Sequence, residues 1–285
     1  MPTILITGAA GHIGTMLRSR LAAPGRVLRL IDVAPLPEPL GPGEEGETAS
    51  VTDMAAMTAA CAGAEAVIHL GGLAGESPWE RILDANINGT YTVFEAARRA
   101  GVPRVVFASS NHAVGFTPRS DFPVPDFAYP APDTYYGVSK AAGEALAALY
   151  ARRYGLDAIC IRILCCCERP TGPRMLASWL SPDDAGRLFE ACLTAPSPGF
   201  QVIYGVSANT RGGWVSMDGA RALGYQPLDD AETYARELIA AQGEPDPDDP
   251  VFRYLGGDFT FPNLDAPIPA VSADTAPTDT APTEA

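Results

Sequence analysis

The hydrophobic pattern of the chain switches between two periods. Short apolar runs at Thr3 to Thr7, Val27 to Ile31, Ala66 to Leu70, Arg104 to Ala108 and Ala158 to Leu164 predict strands covered on both faces. Between them, segments of helical period at Gly11 to Ala22, Asp53 to Ala62, within Pro78 to Ala100 and over Thr134 to Tyr154 predict the connecting helices. Such alternation predicts an α/β fold, a doubly wound parallel sheet with helices on both faces. Beyond Leu164 the rhythm breaks into Pro- and Gly-interrupted pieces, with helices expected at Asp183 to Leu193, Met217 to Leu223 and Ala231 to Ala241. The pattern divides the chain into a sheet domain over 1–164, a substrate cap with return elements packed on the same domain over 165–264, and a tail over 265–285. The tail repeats Thr-Ala-Pro, has almost nothing apolar to bury and reads as disordered. Gly41 to Glu47 and Gly243 to Pro250 read as loosely held.

Composition narrows the class. With 285 residues, 47% hydrophobic and 19% charged, the chain can bury a full core. Its net charge of −14 repels phosphate backbones, which speaks against nucleic acid or an anionic membrane as partner. No apolar run approaches the roughly 20 residues that cross a bilayer, and the N-terminal segment lacks a basic leader, so a cytoplasmic location is expected. The six cysteines lack the paired spacing of a zinc site or a disulfide framework, and no metal is expected. The Cys165-Cys166-Cys167 run suits a redox or metal device, but it follows an apolar strand and reads as small buried hydrophobes. Of the 20 basic residues only Lys140 is a lysine, which makes it a candidate for work that needs a compact ammonium.

Candidate chemistry gathers at three places. The first predicted strand runs into Gly8-Ala9-Ala10-Gly11-His12-Ile13-Gly14 and then a helix, a turn whose glycines allow a pyrophosphate close to the backbone and the helix N-terminus. Asp32, ending the second strand, suits the hydroxyls of an adenosine ribose and repels a 2′-phosphate; no Arg follows it in Val33-Ala34-Pro35, so NAD is favoured over NADP. A capping role in the turn is the alternative for Asp32. Tyr136 and Lys140 stand four apart, on one helix face, where a nearby cation favours the phenolate, so that Lys140 together with an oxidised nicotinamide is expected to lower the Tyr136 pKa and make it a base near neutral pH. Ser109-Ser110-Asn111-His112 ends an earlier strand, at the sheet edge where ligands of doubly wound folds collect; two serines there also suit a turn or a helix cap.

Together, Gly8, Gly11 and Gly14 in GxxGxxG, Asp32, His69-Leu70-Gly71-Gly72, Asn86 in Asn86-Ile87-Asn88-Gly89-Thr90, Ser110, and Tyr136 with Lys140 resemble the extended short-chain dehydrogenase/reductase (NAD-dependent epimerase/dehydratase) family over roughly residues 2–164. The resemblance implies a Rossmann-like sheet with a small C-terminal substrate cap. It implies proton transfer by Tyr136, a Lys140 that lowers the phenol's pKa and binds the nicotinamide ribose, and a Ser110 that orients the substrate oxygen. Dinucleotide contacts are implied for Gly8, Gly11, His12, Ile13, Gly14, Asp32, Val51, Leu70, Gly71, Gly72, Asn86, Ser109, Tyr136, Lys140 and Ile163.

Within that family, Ser109-Ser110-Asn111-His112, Tyr136 to Lys140, Arg174-Met175-Leu176, Ser178-Trp179 with Asp183-Asp184, and Ser207-Ala208-Asn209 look like the uronate dehydrogenases, to about Gly257. This implies NAD-dependent oxidation of cyclic D-glucuronate or D-galacturonate at C1 to the aldarolactone. Substrate contacts are implied for Gly75, Ser110, Asn111, His112, Tyr136, Cys165 and Arg174, whose guanidinium offers a carboxylate two parallel donors. The likeness departs at Gly75 and Cys165, where serines are expected, and at Ser50, where an acid is expected near adenine; Asp53 is a candidate to replace that acid. It also implies a homo-oligomer built on the two long helices. A sugar-nucleotide epimerase or dehydratase that retains its NAD, and a catalytically silent NAD-binding module, are the alternatives.

Overall fold

The computed structural model describes residues 2–36, 38–246 and 248–261. Its sheet has seven parallel strands: β1 (Thr3–Thr7), β2 (Val27–Asp32), β3 (Glu44–Thr48), β4 (Ala66–His69), β5 (Arg104–Ser110), β6 (Asp157–Ile163) and, after the two-stranded β7 (Cys165–Cys166) and β8 (Trp179–Leu180), β9 (Phe200–Gly205). The strand order β3-β2-β1-β4-β5-β6-β9 reverses direction between β1 and β4. Ligands of such sheets lie there, outside the carboxyl ends of the strands.

Helices cover both faces. On one, α1 (His12–Leu21) and α7 (Pro182–Thr194) press Leu17, Leu21, Leu188 and Phe189 onto Ile4, Ile6, Ile68 and Ile161. On the other lie α2 (Met54–Cys61), α4 (Gly89–Ala100) and α5 (Tyr135–Tyr154), which bury Met57, Phe94, Ala147 and Tyr150 against Leu5, Val67, Val105 and Ala158. The central strands are apolar on both sides because both sides are covered. The expected helix within Pro78 to Ala100 runs as α3 (Trp79–Ile82), a π-helical turn (Leu83–Asn88) and α4, closed by left-handed Gly101.

One departure from the expected layout and one strand that the apolar pattern does not announce lie at the sheet edges. Gly41 to Glu47, read as loose, contains most of β3, which pairs in register with β2 from Leu28↔Glu44 to Asp32↔Thr48. Its polar sequence concealed it: an edge strand exposes its outer side, so Glu44-Glu45-Gly46-Glu47-Thr48 needs no apolar run. At the opposite edge β9 pairs with β6, and α7 shares the core of α1. Of the other pieces, α8 (Asp218–Ala222) buries Ala220 in the same core as α1 and α7, while α6 (Met175–Ser178) and α9 (Ala235–Gln242) are held by a smaller apolar cluster of Leu176, Trp179, Ala231 and Leu238. The tail over 265–285 lies outside the described residues, as does position 247 within Gly243 to Pro250. Among the described residues no helix is long and apolar enough to cross a membrane.

Candidate active site

Two glycine turns meet where the strand order reverses. Gly8 leaves β1 at φ +72°, and a Cβ there would lie 2.7 Å from the nitrogen of Gly71, just past β4. Only glycine suits both demands. Gly14 is buried where a Cβ would overlap the Gly8 carbonyl, so α1 lies flush on the turn. Gly11 caps α1 without a side-chain acceptor, leaving the first-turn N–H groups and the positive helix end open to an anion. From the end of β2, Asp32 reaches back: its Oδ2 accepts from Ala10 N at 2.9 Å and its Oδ1 from Ala34 N at 2.9 Å. The carboxylate is thereby pinned beside the loop.

These turns open into a cleft of about 740 Å³. Of the residues expected at the dinucleotide, Gly8, Gly11, His12, Ile13, Gly14, Asp32, Val51, Leu70, Gly71, Gly72, Ser109, Tyr136, Lys140 and Ile163 line it. A backbone cradle that any Cβ would fill, an open helix N-terminus and a pinned acid fit NAD. Asn86 is not among the lining residues. Its amide is spent on Leu73 N at 2.8 Å, Leu73 O at 3.0 Å and Ser139 Oγ at 3.1 Å, tying the loop after β4 to α5. Asp53 is absent from the lining too; it caps α2 by accepting from Ala55 N and Ala56 N.

Thr134 starts α5 by accepting from Gly137 N at 3.1 Å, and Gly143 lets the helix lie directly on Phe107 of β5. That docking buries Tyr136 and Lys140 one turn apart at the mouth of the cleft. Lys140 Nζ donates to Ala108 O at 2.8 Å and lies 5.3 Å from the centre of the Tyr136 ring. Burial pushes the Tyr136 phenol up to about 12, partly opposed by a hydrogen bond with Ser110. With the protein's own groups alone, desolvation prevails, and the Lys140 ammonium is turned to a carbonyl; the expected lowering joins Lys140 with an oxidised nicotinamide.

Burial also pulls Lys140 down to about 8 from its ordinary 10.5. Between those values the unfolded chain holds a proton that the folded chain has released, so this group makes the fold more stable as pH rises through the window. At neutral pH the buried ammonium costs the fold about 3 kcal/mol. Lys140→Met is expected to raise the neutral-pH melting temperature and to remove the stability gain between pH 8 and 10.5. Thermal melts across that range check it, and an unchanged pH slope is the contrary result.

Beside Tyr136, Ser110 and His112 line the same cleft. Ser110 Oγ accepts from His112 N at 3.2 Å, and the His112 ring meets Tyr136 edge-on with centres 5.8 Å apart. Gly75, Asn111, Cys165 and Arg174 are not among the lining residues. Asn111 is buried and its Nδ2 donates to Leu255 O at 3.1 Å; Arg174 Nη2 donates to the same carbonyl. The Arg174 guanidinium stands 5.1 Å above the Trp214 ring and 4.0 Å from Cys165 Sγ, while its Nε is buried without a hydrogen-bond partner among the described residues. Cys165 accepts from Ser178 Oγ at 3.3 Å, and a Cβ on Gly75 would meet open space.

The sequence signature of the NAD dependent epimerase/dehydratase family matches residues 4–174. The chain belongs to that family. Among its relatives, the uronate dehydrogenase of Pseudomonas putida is 44% identical over 256 residues, 90% of this chain and 94% of that one. A solved mutant of uronate dehydrogenase from Agrobacterium tumefaciens, complexed with NAD, superposes with a TM-score of 0.87 at 41% identity, covering 93% of this chain and 98% of the other. An NAD-dependent glucose-6-phosphate dehydrogenase of Haloferax volcanii is 37% identical over 262 residues, 85% of this chain and 97% of its own.

Several residues at the site carry no sequence signal. The Leu255 carbonyl that draws in Asn111 and Arg174 is main chain, and the Phe259 ring stacked on His112 at 4.1 Å comes from a segment read as the end of a cap. Glu76 accepts from Tyr136 N at 2.7 Å, and Asp133 meets His112 Nδ1 at 2.7 Å. Each depends on a partner 21 or more residues away.

Proposed function

We propose that this NAD-dependent oxidoreductase, acting on a CH–OH group, oxidises a cyclic hexuronate, D-glucuronate or D-galacturonate, at C1 to the aldarolactone. NAD, when bound, supplies a hydride-accepting, positively charged nicotinamide ring. Tyr136 takes the proton of the C1 hydroxyl, Ser110 holds that oxygen, and the C1–H bond gives up its hydride as the C1 carbonyl forms. In this reading Lys140 and Ser109 serve the dinucleotide, and His112 serves the sugar together with Gly75, Asn111 and Cys165, which lie outside the lining of the cleft. Arg174 takes the carboxylate. Held in a near-attack geometry, such an arrangement lowers the barrier by about 7–11 kcal/mol in favourable intramolecular cases.

One observation carries the sugar-acid reading. Arg174 keeps a buried guanidinium donor without a partner, and it is fastened to the carbonyl that also holds Asn111, the neighbour of Ser110. Arg174 lies outside the lining of the cleft, so in this reading its guanidinium turns toward the sugar; a carboxylate there and a reacting hydroxyl at Tyr136 are then the two ends of a uronate. Kinship with uronate dehydrogenases supports the same reading.

The test is a panel of free aldoses, uronates, glucose 6-phosphate and nucleotide sugars, followed by formation of reduced nicotinamide. Stoichiometric reduction with a free uronate is expected. Arg174→Ala is expected to raise KM for the uronate roughly 10–100-fold, the loss of a charge-assisted hydrogen bond, with NAD affinity unchanged. A variant that oxidises uronates as well as the parent defeats the assignment; turnover without net reduction points to an epimerase, and no turnover with any sugar to a silent binding module. A homo-oligomer is part of this reading, since Trp79, Leu83 and Tyr91 over 79–100 and Leu149 and Tyr154 on α5 are exposed. Six cysteines without a disulfide fit a reducing cytoplasm.

A further inference from the structure

One buried carboxylate has no part in the scheme above. The Asp133 side chain is fully inaccessible: its Oδ2 faces His112 Nδ1 at 2.7 Å and its Oδ1 accepts from Thr134 Oγ1 at 2.9 Å. Glycines from separate segments clear the space for it. A Cβ on Gly115 or Gly256 would overlap Oδ2, and one on Gly137 would lie 3.0 Å from Oδ1. Gly115 follows β5, Gly137 is in the first turn of α5 and Gly256 precedes the Phe259 turn, so three parts of the site close around one acid. A cradle of this kind fixes where the carboxylate points.

His112 is held as firmly. Phe259 stacks on its ring with centres 4.1 Å apart, Tyr136 stands at its edge, and its main-chain N–H goes to Ser110 Oγ. Nε2 is the ring nitrogen left over, and among the described residues it has no partner, although His112 lines the cleft. A carboxylate only accepts, so a neutral imidazole bonded to Asp133 carries its proton on Nδ1 and bears a lone pair at Nε2.

We propose that Asp133 is a positioning residue that fixes His112 as a hydrogen-bond acceptor at Nε2, so that the site selects a sugar presenting a hydroxyl hydrogen there. The proposal rests on the sugar-acid reading given above. It implies a discrimination: at that one ring position a fluorine, which accepts but cannot donate, is as unwelcome as a hydrogen.

The experiment compares monodeoxy and monofluoro uronates at each ring hydroxyl other than C1, read on KM or on inhibition constants. In the parent protein one position is expected to weaken about tenfold with either replacement, the loss of one hydrogen bond. Asp133→Ala is expected to raise KM for the parent uronate by about tenfold while kcat changes less than about threefold, and to flatten the fluorine penalty. Asp133→Asn, whose amide oxygen can still accept from Nδ1, is expected to restore both. A parent protein that tolerates fluorine wherever it rejects hydrogen overturns the proposal, because His112 then donates; that measurement needs no variant to fold. An Asp133→Ala protein with unchanged KM and unchanged fluorine penalty overturns it as well. Failure of the parent to oxidise any uronate is a separate result, which removes the sugar-acid reading and this proposal with it.

Discussion

Tyr136→Phe is expected to lower kcat for uronate oxidation by about 10²–10⁴-fold, the range for removing a positioned proton-transfer group. The change deletes one oxygen and keeps the ring that packs at the edge of His112, so the fold and the cleft survive. NAD affinity, measured by titration calorimetry, is expected to stay within about threefold of the parent, since the glycine turns and Asp32 are untouched. The size of the effect follows from the environment of the phenol. Burial holds it up to about 12 and the Ser110 hydrogen bond opposes that, so the proton the phenol takes is held firmly and its loss is felt at the transfer step. A variant that keeps more than a tenth of the parent kcat rules Tyr136 out as the base.

Arg162→Met is expected to bring the largest loss of stability. Arg162 is 2% exposed and grips Glu144 with two hydrogen bonds of 2.8 Å. Its remaining donors reach Asp126 O, Ala128 O and the Tyr204 hydroxyl. Ser109, one residue from Ser110, donates to the same Glu144 oxygen at 2.6 Å. Removing the cation strands a buried carboxylate directly behind the end of β5, which costs about 3–5 kcal/mol. For a chain of this size that lowers the melting temperature by roughly 6–20 °C. The double variant Arg162→Met with Glu144→Leu is expected to recover most of the loss, because exchanging a whole buried pair for apolar side chains is close to neutral. Thermal melts of the single and double variants measure the difference. Equal melting temperatures for both would falsify the account.

How far the site was legible depended on whether a residue's task is local. That the glycine turn, Asp32 and the Tyr136–Lys140 pair line one cleft was readable because each is defined within one strand-turn-helix unit or one helical turn. Asn86 and Asp53 are the counterexamples. Each sits in the right neighbourhood, yet the structure spends Asn86 on Leu73 and Ser139 and Asp53 on the first turn of α2. A polar residue near a cleft satisfies whichever backbone group is closest, and the sequence does not record which one that is.

The pattern of apolar runs determined the parallel sheet, its helices and the spacing that stacks Tyr136 over Lys140, because periodicity and helical geometry act along the chain. Tertiary structure alone decided that a run of glutamates forms the edge strand β3, and that β9 closes the other edge. Tertiary structure also decided that the main-chain carbonyl of Leu255 gathers Asn111 and Arg174, and that Asp133 meets His112. These contacts join segments far apart in the chain, often through backbone atoms that every residue shares, so no side-chain pattern announces them.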